Sequence, residues 1–229
     1  MNLQPDQTSA TELLRTSAEH YAGRIVFTTS FGAEDQVITD IISREQLPIP
    51  IITLDTGRLF PETYELWAAT ESRYSLRVRA YVPEQGALEE LVNTQGVDLY
   101  RRGVPERREC CRVRKLEPLG RALAGASAWV TGLRRGQGVT RVATPFIEED
   151  ESRGLLKINP LADWSERDVW NYIRAHDVPY NPLHDRGFPS IGCACCTRAI
   201  KRTEDLRAGR WWWEAPEHRE CGLHNRPRH

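Results

Sequence analysis

The sequence predicts an α/β domain with a mainly parallel sheet and helices on both faces. Three observations carry this prediction. Short apolar, β-branched runs alternate with stretches of helical periodicity between residues 25 and 133. The strand-like runs lead into loops rich in Gly, Ser, Thr or Arg. No repeat or low-complexity linker interrupts the pattern. Strands alternating with helices imply right-handed crossovers, and therefore parallel neighbours covered on both sides.

The elements follow in order. IVFTTS (25–30) reads as a buried strand, and Val37, Ile38, Ile41 and Ile42 recur at helical spacing behind it. IPIITLD (49–55) is a second strand, and Pro61 suits the first turn of the next helix. LRVRAYV (76–82) alternates, as a strand near a sheet edge does. Leu88, Leu91 and Val92 mark another helix, and WVTGL (129–133) a fourth strand. Residues 1–23 add little. After residue 150, Ser165 and Asp168 in WSERDVW form a capping-box-like helix start. VPYNPLHDRGFPSIG then reads as a long loop. The organisation expected is a nucleotide-binding α/β domain over 1–190, then a segment over 191–229 that belongs to the same functional unit and ends in a mobile tail.

Composition removes several function classes. The 229 residues hold 31 Lys and Arg against 32 Asp and Glu, so net charge gives no reason to expect nucleic acid or an anionic membrane. No apolar run approaches the ~20 residues of a membrane span. The start, MNLQPDQTSATELL, lacks the pattern of a secretory signal, and a cytoplasmic location is expected. Thiols stay reduced there, which favours metal binding or thiol chemistry over disulfides.

All six cysteines fall at or beyond residue 110: Cys110, Cys111, Cys193, Cys195, Cys196 and Cys221. RRECCRVRK (107–115) joins adjacent cysteines to a dense positive patch, which favours thiolate. Adjacent cysteines suit an ordinary zinc site poorly, since zinc ligands favour wider spacing. An iron–sulfur cluster takes four thiolates, and Cys110, Cys111, Cys193 and Cys196 would supply them. Zinc and simple packing remain open on the residues alone. Cys195 reads as a bystander within the CxxC turn. Cys221, in the basic stretch RECGLH, suits a reactive thiolate. Trp211, Trp212 and Trp213 read as a docking surface or tail anchor, and His176 and His184 as structural.

Two loops suit an anion. SFGAED (30–35) lies between a strand and a helix, where backbone N–H groups can hold phosphate, although GxxxxGK[ST] is absent. TGLRRGQGVTR (131–141) places Arg134, Arg135 and Arg141 after another strand. Either loop alone could be an ordinary turn. With LDTG (54–57), three such loops on one sheet edge point to an anionic ligand such as a nucleotide.

SFGAEDQV, LDTG, CCxxRK, TGLRRGQ, the INPLADW–VPYNPLH stretch, GCxxCTR, RAGRWWWE and ECGLH, in that order, resemble the assimilatory adenylyl-sulfate reductases of bacteria. The resemblance runs from about residue 24 to residue 224. It implies an adenine-nucleotide α-hydrolase-like fold. It implies thioredoxin-dependent reduction of adenosine 5′-phosphosulfate (APS) to sulfite and AMP through an S-sulfocysteine on Cys221. It places a [4Fe–4S] cluster on Cys110, Cys111, Cys193 and Cys196. It makes SFGAED, with Ser30 and Gly32, a modified pyrophosphate loop. Lys115 then lies between cluster and substrate, Arg207 and Arg210 contact the phosphosulfate, and Arg134 and Arg135 help offset its charge. The partners implied are APS and reduced thioredoxin, with a homo-oligomer left open. The SGGxDS loop of ATP-cleaving relatives is altered here, which disfavours an ATP-dependent adenylating or thiolating enzyme. A 3′-phosphoadenylyl-sulfate (PAPS) reductase, or an enzyme using both substrates, is the nearer alternative. Cys195 departs from the proline of many relatives, and the expected effect is on cluster stability.

Overall fold

The computed structural model describes residues 9–138, 141–215, 218–219 and 222–223. Among these residues, six strands form one sheet in the order β3-β2-β1-β4-β6-β5. The strands are β1 (Ile25–Thr29), β2 (Ile51–Leu54), β3 (Arg79–Tyr81), β4 (Ala128–Val130), β5 (Ile147–Asp150) and β6 (Leu155–Ile158). β1 pairs in parallel with both β2 and β4, and β4 in parallel with β6. β5 runs antiparallel to β6. All three residues of β4 are buried, so both faces of the sheet are covered there. The expected fold class is observed, and β3 takes the expected edge position.

The helices are α1 (Ala10–His20), α2 (Ala33–Arg44), α3 (Pro61–Tyr74), α4 (Gln85–Gln95), α5 (Val104–Cys111), α6 (Glu117–Ala122) and α7 (Glu166–His176). α3 begins on Pro61, as its fixed φ and missing N–H allow. α7 begins with the expected capping box. The Asp168 amide donates to Ser165 Oγ at 3.2 Å, and the Ser165 amide to Asp168 Oδ2 at 2.9 Å. α1, unanticipated from the sequence, is capped by Ser9, whose Oγ accepts from the Glu12 amide. Leu13, Leu14 and Ala18 sink its apolar face into the core.

By compactness the chain forms two units, each stitched from separate stretches. The first comprises 1–53, 61–79 and 125–182, and the second 54–60, 80–124 and 183–229. This division differs from the sequence boundary at 190/191, which followed composition. The first unit has an apolar core of Phe27, Val37, Ile38, Ile51, Val130, Ile158 and Ile173, among others. Burying each such side chain contributes about 1.5–3 kcal/mol. The second unit has a smaller core that includes Leu91, Leu99, Tyr100, Val113 and Trp211, together with cysteines.

Strand order turns around β1. The chain moves from β1 to β2 and β3 on one side, then returns to place β4 on the other. The carboxyl ends of β1 and β4 therefore flank a switch point, where ligands bind in open α/β sheets.

Candidate functional site

In the first unit, the loops after β1 and β4 meet at the start of α2. Gly32 is the N-cap residue and has no side chain to cap the helix. Asp35 serves from within. Its carboxylate accepts from the Ser30 amide at 2.6 Å, from Ser30 Oγ at 2.7 Å and from the Gly32 amide. Burial pushes the Asp35 carboxyl up to about 6, against the pull of the Ser30 hydrogen bonds and with a push from Glu34. Gly132 makes this packing possible, since a Cβ there would stand 2.3 Å from Asp35 Oδ1. Phe31 sits at φ 58°, a left-handed conformation that turns the chain from β1 into α2.

Glu34 meets Arg134 across the same junction, with Nη2 2.7 Å and Nε 2.8 Å from Oε1. Arg134 Nη1 donates to the Trp164 carbonyl at 3.1 Å. Burial raises the Glu34 carboxyl, but Arg134 and a hydrogen bond with Gln137 outweigh it and hold the group below the ordinary range. Arg135 donates to the Thr144 carbonyl at 2.9 Å and lies over Phe146, while Arg141 donates to Gln137. Five of the groups expected to face an anion are thus engaged within the protein: Ser30, the Gly32 amide, Arg134, Arg135 and Arg141.

In the second unit the cysteines converge. Cys110 and Cys111 end α5, and a π-helical turn follows over Arg112–Leu116. Such turns occur often at functional sites. Cys193 and Cys196 bracket a 3₁₀ turn closed by a 2.9 Å bond from the Cys196 amide to the Cys193 carbonyl. These four and Cys195 line one cavity, which is partly open to solvent. Arg58, Arg107, Arg114 and Lys115 line it too, with Tyr100 and Trp211. The Thr56 hydroxyl lies 3.3 Å from Cys193 Sγ. Arg114 is buried and donates to the Thr56 carbonyl at 2.6 Å.

Cys195 does not stand aside. Its sulfur lies 3.7 Å from Cys196 Sγ and 3.7 Å from Arg58 Nη1. The hydrogen bond with Cys196, followed by Arg58, brings the Cys195 thiol down to about 5. The same contact, with burial, pushes Cys196 up. Burial also raises Cys110, with Arg114 and Arg58 opposing. The cationic setting was legible in RRECCRVRK, but Arg58, Thr56 and Tyr100 were not. Arg58 and Tyr100 reach the cavity, and Thr56 reaches Cys193, from other stretches of chain.

The described residues contain no group of three or more His, Cys, Asp or Glu set in metal-ligating geometry. The donor chemistry of the cavity nevertheless fits a thiolate-bound centre. Its lining holds five sulfurs, four cations and no carboxylate or imidazole. Arg114 Nε and Trp211 Nε1 are buried donors without a partner, and both residues line it. A sulfide- and thiolate-rich group would satisfy such donors, and the cations would offset its charge.

Arg210 is buried, with its guanidinium over the Trp211 ring at 4.6 Å and Nη1 3.4 Å from Ser190 Oγ. Arg207 Nη2 donates to the Arg219 carbonyl at 3.0 Å. Trp211 is a buried anchor, which fits one of the two roles read for the tryptophans. Cys221 and His224 lie outside the described residues.

Residues 24–199 match the phosphoadenosine phosphosulfate reductase domain. The chain belongs to this family. Family relatives named adenosine 5′-phosphosulfate reductase include one from Allochromatium vinosum, 62% identical over 88% of this chain and 79% of its own length. Another, from Neisseria meningitidis serogroup B, is 50% identical over 95% of this chain and 88% of its own length. The fold is similar to that of phosphoadenylyl-sulfate reductase from Candida auris, solved as a phosphate complex. The TM-score is 0.72 at 34% identity, covering 82% of this chain and 89% of that one. FMN adenylyltransferase from Candida glabrata shares the fold alone, at a TM-score of 0.54 and 17% identity over 98% of this chain and 79% of that one. The family match thus covers both the switch-point loops and the four cysteines proposed as ligands.

Proposed function

We infer that the chain reduces APS to sulfite and AMP in assimilatory sulfate reduction, which serves cysteine biosynthesis. The relatives named adenosine 5′-phosphosulfate reductase, at 50–62% identity over most of the chain, carry this reading. The five-sulfur, four-cation cavity supports it from the chemistry.

In the proposed reaction the Cys221 thiolate attacks the sulfur of APS. A new S–S bond forms, the S–O bond to the phosphate breaks, and AMP leaves with the electron pair. The product on the enzyme is S-sulfocysteine. A thiolate of reduced thioredoxin then attacks Cys221 Sγ and releases sulfite. The second thioredoxin thiol resolves the mixed disulfide, so the two electrons come from thioredoxin. The main obstacle is bringing an anionic nucleophile to an anionic substrate, and cations offset it. Lys115, Arg207 and Arg210 are the cations proposed for the sulfonate charge. Ser30 and Gly32 are proposed for phosphate, which would take over the donors that Asp35 now holds. Arg134, paired with Glu34, and Arg135 shape the loop after β4, and Arg135 adds positive potential.

Cys110, Cys111, Cys193 and Cys196 would hold a [4Fe–4S] cluster, with Cys195 beside them. When bound, the cluster supplies a fixed local charge and fastens two distant stretches of chain. Thr56 and the cavity's cations orient the thiolates and balance their charge. No described helix is long and apolar enough to cross a membrane, and we place the enzyme in the cytoplasm, where reduced thioredoxin is available.

The test uses anaerobically purified full-length protein. Iron and sulfide are measured, then sulfite release from APS with reduced thioredoxin. About four irons per chain and sulfite release are expected, with Cys221→Ser losing release while keeping iron. Turnover by Cys221→Ser would overturn the nucleophile. The Candida auris likeness favours PAPS as the alternative substrate. A kcat/KM higher for PAPS than for APS would establish it.

A further inference from the structure

Arg107 is one of the cavity's cations, but the reaction proposed above gives it no contact with substrate, and it is fully buried. It lies in α5, three residues before Cys110. Its Nε donates to Glu214 Oε1 at 2.8 Å and its Nη2 to Glu214 Oε2 at 2.9 Å. Nη2 also donates to the His218 carbonyl at 2.7 Å. The guanidinium lies over the Trp211 ring, 4.8 Å from its centroid, and hydrogen-bonds the Cys111 sulfur. One planar fork therefore joins a cysteine to three points along a single later stretch of chain. That stretch is folded upon itself. The Glu214 amide donates to the Trp211 carbonyl at 2.8 Å, and Arg219 Nε to the Glu214 carbonyl at 3.0 Å.

A buried ion pair is a poor device for stability alone, because well-packed apolar side chains do as well or better. Its use lies in specificity of position. Lysine could not reproduce the pattern, since only a guanidinium offers bidentate geometry together with further donors in the same plane.

We propose that Arg107 is a positioning residue that ties Trp211, Glu214 and His218 to the cysteine-bearing helix. The placement of residues 211–215 and 218–219 then depends on the Arg107–Glu214 pair and on what fills the Cys110–Cys111 site. Cys221 follows Arg219 by two residues, a leash of about 7 Å at full extension. The inference rests on the proposed roles of the four cysteines and Cys221.

Hydrogen–deuterium exchange on the full chain, read together with iron content, tests it. Glu214→Gln removes the charge but keeps the side chain's shape. It is expected to keep wild-type iron and sulfide while amides of residues 211–219 exchange about tenfold faster or more. Alkylation of Cys221, followed by peptide mapping, should accelerate in parallel. Arg107→Lys, which keeps the charge and loses the fork, should do the same. Chelating the iron from wild-type protein should loosen the same segment, with little further effect in Glu214→Gln. Unchanged exchange and alkylation in both variants, with iron intact, would overturn the tether. Faster exchange in both variants of a protein that never carries iron would support the tether and overturn the metal reading instead.

Discussion

Glu34 and Arg134 form an ion pair with 2.7 Å between Oε1 and Nη2, joining the first turn of α2 to the loop after β4. The arginine side chain is 5% exposed and the carboxylate 18%, so neither can fall back on full hydration. Truncating one partner strands the other. Arg134→Ala is expected to cost about 3 kcal/mol in urea unfolding. Replacing both by apolar residues of similar volume should recover most of that loss.

Asp35 gives this junction a pH dependence. Its folded value of about 6 stands above the ordinary 3.8, so the fold favours the protonated acid. Such a group contributes stability that is complete below 3.8 and is lost as pH rises through 6. Relative to Asp35→Asn, which carries no charge, the wild type should lose about 1 kcal/mol between pH 5 and pH 7.5. Parallel urea titrations at the two pH values measure the difference. An increase in the wild type's advantage would contradict the assignment.

The cysteines separate under substitution. Cys193→Ala and Cys196→Ala each remove a proposed ligand and should leave purified protein without a full iron complement. Cys195→Ala should retain iron but lose it faster in air, because the sulfur beside Cys196 and Arg58 is part of the cavity wall. Iron and acid-labile sulfide per chain, followed over time, distinguish the two behaviours.

Gly192 leaves room for Arg210. A Cβ at this position would stand 2.3 Å from Arg210 Nη2 and 2.6 Å from its Cζ. Gly192→Ala must therefore push the guanidinium off Trp211. A cost of about 1–3 kcal/mol in unfolding free energy is expected, and a rise in KM for APS greater than the fall in kcat.

What the sequence disclosed depended on how local each signal was. β1, β2, β4 and the start of α7 rest on adjacent residues, and all appear where apolar runs and a capping box placed them. The β5–β6 hairpin escaped notice because an acidic run, EEDES, masks it. Its turn is held by Asp150, which accepts from Ser152 Oγ at 2.5 Å, from Arg153 at 2.7 Å and, through its carbonyl, from the Gly154 amide at 2.8 Å. The four proposed ligands were legible as a CC…CxxC pattern. Their neighbours were not, since Thr56 and Arg58 come from a stretch more than fifty residues upstream of Cys110. Arg134 read as a free cation because sequence does not show that Glu34 waits across the switch point.

The second unit is sewn from three stretches, the last beginning at residue 183. A ribosome releases Cys110 and Cys111 roughly eighty residues before Cys193. At ~5–20 residues per second the first pair waits about 4–16 s for its counterpart. During synthesis those thiols stand beside a row of arginines with nothing yet to shield them. Oxidant exposure in that interval would harm the nascent chain more than the finished enzyme, and yield in the cell should respond to redox stress during translation rather than after it.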